Sequence, residues 1–186
     1  YLRDNYNGVT NFHFEISADI LNEQELELLH TMRPGLVQLE IGVQSTNPDT
    51  LRAVRRVSDM ERLERIVAKI GKGGNIHRHL DLIAGLPFED MERFRNSFDR
   101  VYGMRPEQLQ LGFLKVLKGS EMWERAEEFG IRCLDSPPYE VLCTRWLDYE
   151  DILRLKGVEE MVELYYNSGQ FTRTLTVLES AFDSPF

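Results

Sequence analysis

From Leu36 to Ser45 apolar and polar residues alternate: Val37, Leu39, Ile41 and Val43 against Gln38, Glu40, Gly42 and Gln44. This is the period of a strand with two chemically different faces. The same pattern recurs along the chain. Phe12, Phe14 and Ile16 alternate with His13, Glu15 and Ser17, and Leu80, Leu82 and Leu86 oppose His77, His79, Asp81, Ile83 and Gly85. Leu109, Leu111 and Phe113 alternate with Gln108, Gln110 and Gly112. Between these stretches the apolar spacing changes to three and four, as in Leu63, Ile66, Val67 and Ile70 or Phe94, Phe98, Val101 and Tyr102, which predicts helices. Start signals precede them: Asn22 with Glu25, Asn47-Pro48, Ser58 with Glu61, and Asp90.

Strand followed by helix, repeated, predicts parallel βαβ units. Parallel strands covered on both sides normally read as continuous apolar runs, so a polar face on every strand needs a reason. The reading that supplies one is a barrel interior that holds a polar ligand. The expected class is α/β, a partial (βα) TIM-like barrel with parallel strands over residues 1–135. Beyond Ser120 the pattern becomes helical, with a short helix ending at Gly130, a break at Ser136-Pro137-Pro138-Tyr139, and Trp146, Ile152, Leu155, Val158, Met161 and Leu164 at helical spacing. An all-helical C-terminal lobe is therefore expected over residues 136–186.

Composition narrows the function classes. The 22 Lys and Arg against 31 Asp and Glu give a net charge of −9, which argues against a nucleic-acid backbone or an anionic membrane as partner. No apolar run approaches the roughly 20 residues of a membrane span. Two cysteines, Cys133 and Cys143, are too few for a disulfide framework and fit neither a zinc ribbon nor a C-x-x-C pair, so a reduced, cytoplasmic setting is expected. The chain opens on Tyr1 without Met, as a piece of a longer protein would.

If the strands are neighbours, Glu15, Gln44 and Asp81 converge near their C-terminal ends, where α/β barrels bind ligands. They offer carboxylates and an amide to hydroxyl groups, and Arg56, expected in the helix after the second strand, offers a fork to a carboxylate. The alternative is that Glu15 and Asp81 form local caps or ion pairs and that Arg55 and Arg56 belong to a solvated helix face. His77 and His79 share a strand face, but no third metal ligand is spaced nearby. Gly71-Lys72-Gly73-Gly74 follows a helix and precedes a strand, the reverse of a phosphate loop.

Phe14-Glu15-Ile16, Glu40-Ile41-Gly42-Val43-Gln44-Ser45 and Asp81-Leu82-Ile83-Ala84-Gly85-Leu86-Pro87, in this order and spacing, resemble the radical S-adenosylmethionine (SAM) enzymes. The branch is that of oxygen-independent coproporphyrinogen oxidases and methylthiotransferases. Leu117-Lys118-Gly119-Ser120, Pro137-Pro138-Tyr139 and Tyr165-Tyr166-Asn167-Ser168-Gly169 resemble the helical extension of a cobalamin-binding radical SAM group. The resemblance implies that Gln44 and Asp81 contact the ribose or methionine end of SAM, with Glu15 on the same rim. It implies Arg56 for the SAM carboxylate, and Ile83 to Gly85 with the backbone near Gly112 to Leu114 beside the adenine.

The family's C-x3-C-x2-C loop, which ligates a [4Fe–4S] cluster, has no counterpart in this sequence. The expectation is a C-terminal fragment of a radical SAM oxidoreductase or transferase, inactive alone, whose parent carries the cluster and a cobalamin domain upstream and acts on a small or otherwise undefined substrate. Such a fragment would self-associate through its unpaired strand edge. Two other readings use the same residues: a non-catalytic barrel-like binding or assembly module, and an unrelated barrel hydrolase or isomerase with Glu15 and Asp81 as acid and base.

Overall fold

A computed structural model describes residues 1–186. Four parallel strands, β1 (Phe12–Ile16), β2 (Val37–Gln44), β3 (His77–Ala84) and β4 (Gln108–Phe113), form one sheet in sequential order. Three helices, α1 (Glu23–His30), α2 (Pro48–Ala53) and α3 (Met60–Gly73), precede β3, and α4 (Met91–Gly103) joins β3 to β4. The expected partial α/β barrel of parallel strands is the observed architecture.

The alternation along β2 becomes a division of space. Val37, Leu39, Ile41 and Val43 are buried, while Gln38, Glu40, Gly42 and Gln44 are only partly covered. The buried face belongs to one core with Leu63, Ile66, Val67 and Ile70 of α3 and Phe94, Phe98 and Val101 of α4. The opposite face opens into a cavity instead of packing against an apolar helical layer. That is why these parallel strands keep a polar side.

Local chemistry starts the helices. Asn22 and Glu25 close a reciprocal capping box on α1, Asn47 with Pro48 opens α2, and Asp90 accepts from the Arg93 backbone N–H to open α4. Two details differ from the sequence expectation. α3 is capped by Asp59, which accepts from the Arg62 N–H, so the anticipated Ser58–Glu61 box does not form. Arg56 also lies outside a helix, in the extended link after Arg55 turns the chain at φ +53°.

The two sheet edges are unlike. β1 pairs only with β2, and its Phe14, expected on a buried face, is 41% exposed. β4 is covered on its outer side by the π-helical turn Val162–Asn167 that continues α6 (Tyr149–Met161) once the short α5 (Glu121–Glu124) has been passed. There the Asn167 side chain accepts from the Leu109 N–H at 3.0 Å and donates to the Leu109 carbonyl at 2.9 Å, imitating a neighbouring strand. Asn167 thus closes an edge that β1 leaves open.

The C-terminal part is helical, with an addition. A two-stranded antiparallel hairpin, β5 (Arg132–Cys133) and β6 (Val141–Cys143), lies before α6 and straddles residues 135 and 136. The last helix, α7 (Thr172–Glu179), is tied down by Glu179, which accepts from both Arg105 terminal nitrogens at 2.6 Å and from the Tyr102 hydroxyl at 2.5 Å. No helix is long and apolar enough to cross a membrane.

Candidate functional site at the strand ends

The uncovered face of the sheet opens into a cavity of about 940 Å³. Glu15 of β1, Glu40, Gly42 and Gln44 of β2, Asp81 and Ile83 of β3, and Gln110 and Gly112 of β4 line it, with Arg56 from the α2–α3 link. The helical part contributes Glu159 and Glu163, and Glu140 comes from the hairpin side.

Gln44 is aimed by an irregularity. Gly42 pairs with Asp81 and Gln44 with Leu82, so Val43 is an extra residue on β2 and the ladder shifts there. Gln44 takes φ +70°, a left-handed conformation that a residue with a long side chain seldom adopts. Arg56 Nη2 donates to the Gly42 carbonyl, and a Cβ on Gly42 would collide with the Gln44 amide. Glycine at 42 therefore leaves room for the Gln44 and Arg56 side chains beside each other. Gln44→Gly is expected to stabilise the chain by about 1 kcal/mol, because it relieves the left-handed strain. Gln44→Ala, which keeps a Cβ, should show no such gain in urea unfolding; equal midpoints for the two variants would refute the strain.

The end of β2 is held from behind by Glu89. Its Oε1 accepts from the Ser45 hydroxyl at 2.6 Å and from the Ser97 hydroxyl at 3.1 Å. The Ser45 hydroxyl oxygen in turn accepts from the Asn47 N–H, so the turn after Gln44 is fixed by the side chains of Ser45, Glu89 and Ser97. Burial pushes the Glu89 carboxyl up to about 7, against the two serine hydrogen bonds that favour the anion.

The cavity is rich in carboxylates. Glu15 and Glu40 are register partners on adjacent strands, and Asp81 faces them from β3. Burial, reinforced by Glu40 and Glu15, pushes the Asp81 carboxyl up to about 7, while Arg56 acts in the opposite direction. Burial also lowers the His79 imidazole, which keeps the ring neutral near pH 7. Such a wall can accept hydrogen bonds from vicinal hydroxyls, offer amides from Gln44 and Gln110, and present a guanidinium to an anion.

Of the residues singled out in the sequence, Glu15, Gln44, Arg56, Asp81 and Ile83 meet at this cavity. Gly85 does not line it. It sits at φ +86°, where a Cβ would fall 2.6 Å from Val141 Cγ1, so it serves the close approach of β6. Glu40 and Gln110 belong to the polar faces visible in the alternation but were not singled out. Glu140, Glu159 and Glu163 had no signal, since their approach depends on how the C-terminal part folds back. Neither Cys133 nor Cys143 lines the cavity; both are partly buried free thiols on the hairpin. The residues present therefore do not hold an iron–sulfur cluster.

Comparison with known proteins gives this geometry relatives. Residues 127–186 match the family described as protein of unknown function DUF4080. The chain is 33% identical over 107 residues to the oxygen-independent coproporphyrinogen III oxidase of Salmonella typhimurium, a match covering 54% of this chain and 23% of that protein. The chain thus spans about a quarter of the length of such curated relatives. Among solved structures, the radical SAM coproporphyrinogen III oxidase HemN of Escherichia coli aligns with TM-score 0.56 at 20% identity, covering 83% of this chain and 32% of that one. The radical SAM methyltransferase TsrM of Kitasatospora setae, solved with cobalamin and a [4Fe-4S] cluster, aligns with TM-score 0.56 at 17% identity, over 68% of this chain and 26% of that one. By sequence the chain is similar over about half of its length to oxygen-independent coproporphyrinogen III oxidase, its four-stranded parallel sheet has the fold seen in the HemN and TsrM structures, and its C-terminal segment matches DUF4080.

Proposed function

We propose that the cavity is the adenosine-facing wall of a SAM site in a radical SAM enzyme. The observation that carries this reading is the convergence of Gln44, Asp81, Glu15 and Arg56 at the C-terminal ends of parallel strands, beside the open backbone at Gly112. In this assignment Asp81 and Gln44 hydrogen-bond the ribose and the amino-acid end of SAM. Arg56 faces its carboxylate, and Ile83 with Gly112 forms the apolar slot for adenine. The orphaned Asp81 Oδ1, buried without a hydrogen-bond partner, supports a hydroxyl-bearing ligand at this spot.

The thiolates that would hold a [4Fe–4S] cluster are not among these residues, so any redox chemistry on SAM would need a cluster supplied by another part of the enzyme. The chain by itself is accordingly read as inactive, with its substrate and any use of cobalamin determined by other parts of the enzyme. The bare edge of β1 is the surface through which additional strands of the barrel would pair, and through which isolated copies would associate.

The test uses the stable analogue S-adenosylhomocysteine, titrated into isotopically labelled chain. Amide signals of Gly42, Gln44, Ile83 and Gly112 should move together along one saturating curve. Asp81→Ala should weaken the binding roughly tenfold, the loss of one charge-assisted hydrogen bond. Shifts confined to other surfaces, or affinity untouched by Asp81→Ala, would overturn the assignment.

A further inference from the structure

One layer below the Gln44–Asp81 level, toward the N-terminal ends of the strands, lies a group of side chains that the SAM reading does not use. His13 of β1, Glu40 of β2 and His79 of β3 each direct a donor atom to a common point, all within 4.8 Å of one another. His13 Nε2 is 2.8 Å from Glu40 Oε2, and Glu40 and His79 are register partners across β2 and β3.

His79 is the informative member. Its side chain is only 6% exposed, yet neither ring nitrogen has a hydrogen-bond partner. Leaving a buried imidazole unpartnered is costly, so a fold that keeps one there calls for an explanation. Asp81 Oδ1 lies 3.1 Å from His79 Nε2, outside hydrogen-bond geometry and equally without a partner. The charge around these atoms is also unbalanced. Glu15, Glu40 and Asp81 face one another, and the guanidinium on their wall, Arg56, donates to the Gly42 carbonyl.

We propose that His13, Glu40 and His79 form a binding site for a divalent first-row transition ion, Zn²⁺ or a similar metal. Two imidazoles and carboxylate oxygen select this class of ion; Mg²⁺ and Ca²⁺ prefer all-oxygen sites, and soft ions prefer thiolates. Tetrahedral binding with ligand bonds near 2.1 Å brings donors to about 3.4 Å apart, so the cluster must contract slightly. His13, half-exposed on the edge strand, has the rotamer freedom to supply that movement. His77 shares the strand face of His79 but lies outside the donor group, so the site draws on three strands, a convergence that the spacing of His77 and His79 on one strand did not signal.

The proposal is independent of the SAM assignment and is tested without SAM. Anaerobic titration of the whole chain with Co²⁺ should develop visible d–d absorption that saturates at one equivalent and is displaced by Zn²⁺. His13→Ala and Glu40→Gln should each weaken binding by roughly tenfold or more. Both positions are only partly covered, so these variants are expected to fold, which circular dichroism verifies. His77→Ala and Cys133→Ser should leave the titration unchanged. Absence of d–d bands, bands unaltered by both His13→Ala and Glu40→Gln, or bands abolished by Cys133→Ser would each overturn the site.

Discussion

Between pH 5 and pH 8 the chain should lose about 3 kcal/mol of stability through Glu89 alone. Its carboxyl is 0% exposed and burial raises it from 4.5 to about 7. Between those values the folded state holds a proton that the unfolded state has released. Stability from this group is therefore fully present below pH 4.5 and falls as pH rises through about 7, with no further change above. A shift of about 2.5 pH units corresponds to about 3 kcal/mol. Glu89→Gln removes the titration while retaining an oxygen for the Ser45 and Ser97 hydroxyls. Urea unfolding of both proteins at pH 5 and pH 8 should show the variant gaining on wild type by that amount at the higher pH. A constant difference between them at the two values would contradict a buried neutral acid at position 89. The consequence reaches the cavity, because Glu89 holds Ser45, the residue after Gln44.

The strands, the helices between them and the polar interior were legible because each rests on a local pattern. Alternation in β2 was enough to divide Ile41 from Glu40, and Asn22 with Glu25 announced α1. What escaped depends on pairs of segments. The extra residue at Val43 is a property of β2 against β3, and no reading of β2 alone reveals that Gln44 turns to φ +70°. The two-residue strand β5 exists only because β6 lies beside it, so neither carries a periodic signal. Gly85 illustrates a different limit. Its conformation was foreseeable as special, but whether glycine admits a ligand or a neighbouring strand depends on where Val141 comes to rest. His13 was visible only as a member of a polar face, and its meeting with Glu40 and His79 is a matter of sheet order.

Arg78 is the residue that the alternation misjudges most, and its partner should prove expensive to remove. It stands on the apolar side of β3, beside Leu80 and Leu82, with its side chain only 9% exposed. Its Nε and Nη2 donate to the two Glu107 oxygens at 3.0 and 2.7 Å, and Nη2 and Nη1 reach the Arg105 and Val67 carbonyls at 2.7 and 3.3 Å. The fit includes α3, since a Cβ on Gly71 would collide with the guanidinium. Burial works against the Glu107 anion, but hydrogen bonds and charge from Arg78 outweigh it and hold the carboxyl below its ordinary value. Glu107→Leu strands a buried cation and should cost about 3 kcal/mol. That figure is the lower end of the range for such pairs, because the Glu107 side chain is 43% exposed and water reaches that side. Arg78→Met should cost about 2 kcal/mol, since Glu107 can hydrate but two carbonyls lose a donor. The double variant Arg78→Met/Glu107→Leu strands no charge but still leaves the two carbonyls without their donor, so it should cost about 2 kcal/mol, no more than Arg78→Met alone and about 3 kcal/mol less than the summed single losses. Urea unfolding of the four proteins in the cycle measures the coupling. Strict additivity of the single losses would show that the pair acts through packing and not as a mutually dependent ion pair.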